Sequence, residues 1–449
     1  MAVALDLLGV GFGPANIAIA AAIADAREAG SGPTGAVRAL FVDQAQDATW
    51  QPDLLFPGTD IQHHYLRDLA TPRNPRSRFT FTNYLWEHGR LHAFGLQGGA
   101  PGRVEWSDYV RWVAGEVGQP VAYRHRVDAI EPVREPGSDR VATWRVRGAA
   151  LPDGAPVEWL ARNVVLATGQ VPSVPDVLRP HLGERAFHSN EFLSRLRAIE
   201  GRPGQRFAVV GGGQTAAEIV LYLLGAFPDA HITALTRGPG FRLCDLGPFT
   251  NELYDPDGGE YFYRLTPEAR AHVAREIRYS NYACIDADVA FGLYRRMYED
   301  GILGRQRVRL LRWVEVTGAT GRPDALALQL REVNTRERLE VAADHVVVCT
   351  GLREETLPGL LAPLDSWLER DRQHGGLDIR QDYRVRTAPS VTAGIYLNGL
   401  TEWRHGLSNS TTFSLMALKA AVILDDLVAR PREADAAALA TPMLSGDST

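Results

Sequence analysis

Two glycine-rich turns lie far apart in this sequence, at residues 8–16 (LGVGFGPAN) and residues 207–216 (FAVVGGGQTA). Each turn follows an apolar run of the kind that forms a buried β-strand. Glycine lets the backbone bend sharply and approach a pyrophosphate, whose charge then rests on the N-terminus of the next helix. Two such turns predict two dinucleotides on one chain, most often a nicotinamide that passes a hydride to a flavin.

The two turns match the G-x-G-x-x-G fingerprint to different degrees. In the first turn, Gly11 and Gly13 occupy the glycine positions, but Asn16 stands at the third. In the second turn, Gly211 and Gly213 are followed by Ala216, which the fingerprint allows. A single turn of this kind can be an ordinary strand-to-helix connection, whereas two, each before an alanine-rich helix pattern, favour two nucleotide sites.

The end of the strand after each turn indicates which nucleotide binds. Asp43 ends the apolar run at residues 40–43 and is expected to bind the ribose of the first nucleotide, although a loop lengthens the usual spacing. Arg237 ends the matching run at residues 232–237, where a cation accommodates a 2′-phosphate and favours NADPH. The alternatives are a strand-end turn former at Asp43 and a solvated loop cation at Arg237.

Composition excludes several other classes of protein. The chain has 449 residues, of which 45% are hydrophobic and 23% charged, which is typical of a globular protein of two or three domains. The net charge of −6 argues against a nucleic-acid partner. The cysteines Cys244, Cys284 and Cys349 are far apart and form no C-x-x-C, so we expect neither a disulfide framework nor the redox pair of a disulfide reductase.

Targeting, metal and assembly signals are weak. The histidines show no zinc-binding spacing, so no metal is expected. The sequence begins with a strand pattern and contains no apolar run long enough to cross a bilayer, which predicts a cytoplasmic protein without a membrane partner. We also expect a homo-oligomer.

The order of these signals predicts an α/β fold with two Rossmann-like domains, one inserted into the other, and a helical substrate-binding portion. Strand patterns followed by Thr-Gly occur twice, at residues 164–169 and 346–351, and suggest that the chain returns to its first domain. The expected parts are an FAD-binding domain at 1–200, an NADPH-binding domain at 201–340 with a substrate-contacting segment at 245–300, a return to the FAD domain at 341–430, and a disordered tail at 431–449.

Further motifs give the sequence a family resemblance. Residues 61–71 (IQHHYLRDLAT) and 73–81 (RNPRSRFTF) are followed by 213–218 (GQTAAE), 248–252 (PFTNE), 280–282 (SNY) and 405–408 (HGLS). This combination resembles the microbial N-hydroxylating flavin monooxygenases, the ornithine and lysine hydroxylases of siderophore pathways. The resemblance extends over nearly the whole chain and is much more specific than either glycine turn.

The resemblance implies roles for individual residues. Asn251 matches an asparagine that grips the amino-acid end of the substrate, Asn281 one that contacts NADP and the amine, and Ser408 one that helps orient the amine. Turn and cap asparagines are the alternative for the first two. Arg67 stands where the family has a lysine; it can still bind a carboxylate, but the exchange is not conservative. The residues expected to bind FAD are Gly9, Gly11, Gly13, Pro14, Asp43, Trp50 and Gln62, and those expected to bind NADPH are Gly211, Gly213, Gln214, Thr215, Arg237 and Asn281.

The resemblance also implies a reaction. NADPH would reduce FAD, dioxygen would form a flavin C4a-hydroperoxide, and a neutral side-chain amine would take up the distal oxygen to give a hydroxylamine. L-Ornithine is the first candidate substrate, and lysine, a shorter diamino acid or a diamine are alternatives. Two other functions stay open: a flavin monooxygenase that oxidises a sulfide or ketone, and a flavoprotein that is a non-catalytic partner or a simple NADPH oxidase.

Overall fold

Two parallel five-stranded sheets form the centre of the α/β fold in the computed structural model. The structure describes residues 4–30, 32–199, 203–409 and 412–430, so the predicted disordered tail at 431–449 lies outside the described residues. The strands are β1 (Leu7–Val10), β2 (Ala39–Asp43), β3 (Val121–Tyr123), β4 (His125–Arg134), β5 (Val141–Ala150), β6 (Pro156–Ala161), β7 (Asn163–Leu166), β8 (Val171–Pro172), β9 (Ala186–His188), β10 (Arg206–Val210), β11 (His231–Leu235), β12 (Val308–Leu311), β13 (Val314–Gly321), β14 (Leu326–Glu332), β15 (Arg338–Ala343), β16 (His345–Val348), β17 (Leu352–Arg353) and β18 (Gly394–Leu397). The α-helices are α1 (Pro14–Glu28), α2 (Phe81–Glu87), α3 (Leu91–Gln97), α4 (Arg103–Glu116), α5 (Phe192–Leu196), α6 (Gln214–Ala226), α7 (Pro248–Asn251), α8 (Pro256–Arg264), α9 (Pro267–Glu276), α10 (Ala287–Ile302), α11 (Glu402–His405) and α12 (Met416–Ala429).

The first sheet has the strand order β18-β7-β1-β2-β3, with β1 in the middle. All four residues of β1 are buried, and its neighbours β2 and β7 both run parallel to it. Such continuous apolar strands suit the centre of a parallel sheet that is covered on both faces. The chain turns from β1 into α1 where the strand order reverses, which is where open α/β sheets bind their ligands.

The second sheet has the order β12-β11-β10-β16-β9 and repeats this arrangement around β10. It corrects the domain boundaries expected from the sequence. Strand β16, which was assigned to the return segment 341–430, pairs with β10, and β9, which was assigned to 1–200, pairs with β16. The chain rejoins the first sheet only at β18, which pairs with β7. The fully buried run of β16 fits the centre of either parallel sheet, so the sequence could not show which sheet it joins.

Each parallel sheet lies between a helical layer and a small antiparallel sheet. The helices α1, α4 and α12 cover one face of the first sheet, and the β4-β5-β6 sheet packs on the other face. The helices α6 and α10 cover the second sheet, and the β13-β14-β15 sheet lies opposite them. This layering confirms the predicted α/β class with two Rossmann-type halves. None of the helices within the described ranges is long and apolar enough to cross a membrane.

A buried ion pair joins the two halves. Nη2 of Arg103, at the start of α4, donates to both carboxylate oxygens of Glu218 in α6, each at 2.9 Å. The side chains are only 7% and 1% exposed. Burial raises the pKa of Glu218, while the guanidinium of Arg103 opposes that rise. Nη1 of Arg103 donates to the main-chain oxygen of Leu54 at 3.4 Å, and Nη2 also lies 3.2 Å from that of Asp60.

We expect Arg103→Ala to destabilise the protein by roughly 3–5 kcal/mol, because the substitution leaves a buried carboxylate without its partner. Urea denaturation measures the loss. Arg78→Ala is the matched control, since the pair between Arg78 and Glu28 is 43% and 54% exposed. A pair of that kind contributes at most about 1 kcal/mol. Equal losses in the two variants would contradict the assignment of Arg103 as the anchor between the halves.

Candidate cofactor and substrate sites

The first glycine turn has the shape that a pyrophosphate site needs. Gly11 has a φ of +87°, and a Cβ there would lie 2.4 Å from the main-chain oxygen of Ala167. Gly13 begins α1 and has no neighbour within 4 Å of a built Cβ, and no described side chain caps the helix. The first N–H groups of α1 are therefore available to an anion. Pro14, in the first helical turn, removes only an N–H that has no partner inside the helix.

Asn16 explains why the third glycine of the fingerprint is absent. Its Nδ2 donates to the main-chain oxygen of Gly11 at 2.7 Å, and its Oδ1 accepts from Nδ2 of Asn398 at 3.3 Å. The side chain thus closes the turn from inside and ties it to the segment that follows β18. Position 9 requires glycine for a different reason, because a Cβ there would lie 2.3 Å from the ring of Phe41 on β2.

Asp43 lies at the end of β2 with its carboxylate directed at the same turn. Oδ2 accepts from the main-chain N–H of Phe12 at 2.5 Å, and Oδ1 accepts from that of Ala45 at 2.7 Å. These two bonds hold the carboxylate at the edge of the turn. Each oxygen keeps a further lone pair, which can accept from a ribose hydroxyl.

The second turn repeats the geometry of the first. Gly211 has a φ of +152°, and a Cβ there would lie 2.2 Å from the main-chain oxygen of Cys349. Gly213 begins α6, with the nearest atoms 3.9 Å from a built Cβ and no cap from a described side chain. Thr215 lies in the first turn of α6, and Arg237 is exposed just beyond β11.

Gln214 has a structural part in this second turn. Its Nε2 donates to Glu218 at 3.0 Å, and its Oε1 accepts from the main-chain N–H of Asp286 at 2.9 Å. The side chain therefore connects the turn to the buried ion pair and to the segment before α10.

A cavity of about 670 Å³ brings Gln62, Arg67 and Asn251 together. Gln62 has a φ of +61°, and its main-chain N–H donates to Oδ1 of Asp60 at 2.8 Å. Trp50 is fixed nearby in the fold, since its main chain makes two hydrogen bonds of 3.0 Å with the hydroxyl of Ser107. The cavity thus collects one residue expected at the flavin and two expected at the substrate.

Arg67 presents a cation to this cavity. Its Nη1 lies 3.4 Å from Oγ of Ser414, and its Cζ lies 5.5 Å from the ring centroid of Tyr254. Among the described residues, no carboxylate forms an ion pair with it. The guanidinium is half-buried. It is therefore free to bind a carboxylate of a ligand with two parallel hydrogen bonds.

The other expected substrate residues differ in position. Asn251 lines the cavity, and its Nδ2 donates to the main-chain oxygens of Leu246 and Gly247, so its Oδ1 is left to accept from a ligand. Those local bonds also fit the alternative of a turn asparagine. Asn281 is exposed after a 3-10 turn and does not line the cavity, and Ser408 is buried beside a smaller pocket.

Three carboxyl groups that the sequence did not single out, those of Asp60, Asp286 and Asp288, also line the cavity and form its acidic wall. Burial raises the pKa of Asp286 to about 6, and the carboxylates of Asp60 and Asp288 add to that rise, while a hydrogen bond with Gln62 opposes it. Burial also raises the pKa of Asp60. No local pattern could reveal this wall, because Asp60 comes from a different part of the chain than the other two.

His63 also lines the cavity but carries no charge there at neutral pH. Burial lowers the pKa of its imidazole to about 4. Its ring packs against Trp106 and Phe413, with ring centroids 5.1 and 5.3 Å away. His63 therefore shapes the wall as an aromatic residue.

A disulfide bond corrects the expectation drawn from the cysteines. Cys244 and Cys284, which are 40 residues apart in sequence, are bonded, and Cys349 is a free, buried thiol. A bridge between Leu243 and Ile285 brings the two loops side by side. The bond thus fastens the loop that leads into α7 to the loop next to Gly213. The wide spacing concealed this pair, because only the folded loops place the two thiols together.

The chain is similar to amine N-hydroxylases over most of its length. The model of the family described as L-lysine 6-monooxygenase/L-ornithine 5-monooxygenase matches residues 3–354. L-ornithine N(5)-monooxygenase from Pseudomonas aeruginosa is 32% identical over 431 residues, which cover 95% of this chain and 94% of that protein.

Solved structures show the same similarity. Ornithine N-hydroxylase from Kutzneria sp. 744, solved with reduced FAD, NADP+ and L-ornithine, has a TM-score of 0.88 at 33% identity, covering 95% of this chain and 99% of that one. L-lysine 6-monooxygenase from Pseudomonas syringae has a TM-score of 0.85 at 40% identity, covering 94% and 99%. Both ornithine and lysine hydroxylases are therefore among the structures that this chain resembles.

We expect Gly13→Ala to fold normally but to lose bound FAD, since the new methyl group fills only the open space where the pyrophosphate would approach. Flavin absorbance per protein after reconstitution measures the loss. Gly11→Ala should instead destabilise the apoprotein, by about 1–2 kcal/mol from the left-handed backbone alone. A Gly13→Ala protein that retains full flavin would show that the pyrophosphate lies elsewhere.

Proposed function

Because the chain belongs to the L-lysine 6-monooxygenase/L-ornithine 5-monooxygenase family, we propose that it hydroxylates the side-chain amine of an amino acid, with L-ornithine as the first candidate. It is an FAD- and NADPH-dependent amine N-monooxygenase. The observation that carries the substrate class is the cation of Arg67, which has no carboxylate partner among the described residues and faces the cavity that Gln62 also lines.

In this function, the N-termini of α1 and α6 would each bind one dinucleotide. The start of α1, with Gly13 and Asp43, would hold FAD, and the start of α6, with Gly213 and Arg237, would hold NADPH. Trp50 and Gln62 would lie along the flavin. When bound, the two cofactors supply hydride transfer to the flavin and activation of dioxygen. The open space at both glycines fits this assignment.

Two residues of the cavity suit the α-carboxylate and the α-ammonium group of an amino acid. Arg67 would bind the α-carboxylate through its planar pair of donors, and Oδ1 of Asn251 would accept from the α-ammonium group. Tyr254 supports Arg67 from one side, and its hydroxyl is hydrogen-bonded to Ser280 at 2.9 Å. The family resemblance assigns Asn281 and Ser408 to the side-chain amine, but neither residue lines the cavity that holds Arg67 and Asn251.

The side-chain amine must lose its proton before it can take up oxygen, although its ordinary pKa is about 10.4. Burial in a site lowers the pKa of an amine. Asp286 is the candidate acceptor of that proton, because its carboxyl lines the cavity and its pKa of about 6 leaves it ionised but basic at neutral pH. We therefore assign the acidic wall to proton transfer and Arg67 to carboxylate binding.

L-Lysine is the second candidate, since the Pseudomonas syringae lysine 6-monooxygenase is 40% identical to this chain. A panel of ornithine, lysine, a shorter diamino acid, putrescine and cadaverine, scored for hydroxylamine against NADPH consumed, tests the proposal. Oxidation of a sulfide or ketone instead of any amine would favour a flavin monooxygenase of that other specificity. NADPH consumption without an organic product would favour an oxidase.

A homo-oligomer is also a proposal. Phe291, Tyr294 and Tyr298 are 66%, 71% and 64% exposed on one face of α10. Their spacing places them in a single stripe, and exposed apolar stripes are typical of protein interfaces. Light scattering measures the assembly. The cytoplasmic location and a place in siderophore or other natural-product biosynthesis stay predictions.

We expect Arg237→Ala to raise the Michaelis constant for NADPH far more than that for NADH. The lost interaction with a 2′-phosphate is charge-assisted and contributes about 1.5–3 kcal/mol. Steady-state flavin reduction with each nucleotide measures the difference. Arg237→Lys, which keeps the charge, should recover much of the preference. Equal effects on both nucleotides would show that Arg237 does not bind the phosphate.

We expect Arg67→Ala to abolish most hydroxylation while NADPH still reduces the flavin at nearly the normal rate. Loss of the ion pair leaves the substrate carboxylate without its partner and costs roughly 2–5 kcal/mol. Hydroxylamine yield and stopped-flow flavin reduction measure the two steps. Arg67→Lys should keep partial activity, because it restores a cation of smaller reach. The idea fails if putrescine or cadaverine is a better substrate than every amino acid, or if Arg67→Ala turns over normally.

A further inference from the structure

The only lysine of the chain is buried. Of the 48 lysine and arginine residues in the sequence, all except Lys419 are arginine. Lys419 lies in α12 and is 1% exposed. Lysine carries a compact ammonium group with three donors, whereas arginine carries a larger planar guanidinium.

Lys419 contacts the segment that carries Ser408. Its Nζ donates to the main-chain oxygen of Asn409 at 2.5 Å, and it lies 5.6 Å from the ring centroid of Tyr383. The hydroxyl of Tyr383 donates to Oδ1 of Asn409, and Nδ2 of Asn409 donates to the main-chain oxygen of His405 at 3.1 Å. Asn409 is therefore attached to the core through its main chain and through both ends of its side chain.

Ser408 and Asn409 belong to one 3-10 turn, Leu407–Asn409, all of which is buried. The hydroxyl of Thr412 donates to the main-chain oxygen of Ser408 at 3.0 Å, which adds a further bond to the turn. Movement of Asn409 would therefore move Ser408 with it. The hydrogen bond from Nζ of Lys419 to the main chain of Asn409 therefore acts on the same turn that carries Ser408.

We propose that Lys419 is a positioning residue for N-hydroxylation, whose ammonium group fixes the Leu407–Asn409 turn and thereby the hydroxyl of Ser408. The inference rests on the proposed function of Ser408 at the substrate amine. Lys419 acts through Asn409 and touches neither substrate nor cofactor. A turn held in this way keeps the amine aligned during oxygen transfer, where a shift of about 1 Å can cost 100-fold in rate.

Burial and a neighbouring carboxylate act in opposite directions on the ammonium group of Lys419. Burial lowers the pKa of Lys419 to about 7, and the carboxylate of Glu354 opposes that fall. The ring of Tyr383 faces the group, as described above. Burial lowers the pKa of His405 to about 3, and the charge of Lys419 contributes to that shift. His405 is therefore neutral at pH 7.

The single lysine allows a direct test in the full chain. Labelling with lysine enriched in ¹³C at Cε should give one lysine resonance, which should titrate near pH 7 in the folded protein. The same resonance should titrate near the ordinary value of about 10.4 after denaturation.

Lys419→Met tests the positioning itself, because methionine keeps the length of the side chain and removes the donor. We expect kcat for hydroxylation to fall about 10- to 100-fold, with hydrogen peroxide in place of hydroxylamine. The KM for the amino acid, which depends on Arg67, and flavin reduction by NADPH should change little. Leu424→Met, a buried change on the same helix, is the control and should keep normal coupling.

Hydrogen exchange gives a readout that does not require substrate. Peptides that contain residues 405–409 should exchange faster in Lys419→Met than in Leu424→Met. If Lys419→Met fails to fold, Tyr383→Phe removes a second attachment of Asn409 and should show the same loss in milder form. Normal coupling and normal exchange in these variants would overturn the proposal. A wild type that hydroxylates no amine would instead overturn the proposed function, and the exchange result would still stand.

Discussion

The ion pair between Arg103 and Glu218 is the contact on which the arrangement of the sites depends. Glu218 also accepts from Gln214, whose oxygen accepts from the main chain of Asp286, and Asp286 is in turn hydrogen-bonded to Gln62. A continuous polar path therefore runs from one half of the fold, through the second glycine turn, to the cavity. Because an unpaired buried charge is costly, the two halves resist separation at this point.

The cavity at the end of this path contains two kinds of charge. The carboxylates of Asp60, Asp286 and Asp288 lie on one wall, and the guanidinium of Arg67 contacts Tyr254 and Ser414. A ligand with a carboxylate and an amine at opposite ends is complementary to such a cavity, since each end meets its opposite charge. A ligand with two amines leaves Arg67 without a partner.

The two nucleotide turns show how one local solution serves two sites. Gly11 and Gly211 each lie against the main-chain oxygen that follows a neighbouring strand, at Ala167 and Cys349. In both cases any side chain would collide with backbone, which cannot move aside as a flexible side chain can. Both helices begin at an open glycine, so their partial positive charge is directed at free space. The sites differ in the charge beyond the next strand and in the residue at the third fingerprint position, Asn16 or Ala216.

The sequence by itself determined the local features of this protein: the two glycine turns, the strands before them, the positions of Asp43 and Arg237 at the ends of the strands that follow, and the α/β class. These features depend on backbone geometry and on the hydrophobic pattern of neighbouring residues, which the sequence states directly. Only the tertiary structure decided that β16 joins the second sheet, that Asn16 closes the first turn, that Cys244 bonds to Cys284, and that three carboxyl groups line the same cavity as Arg67. Each of these contacts joins residues from distant parts of the chain, and packing alone brings such residues together.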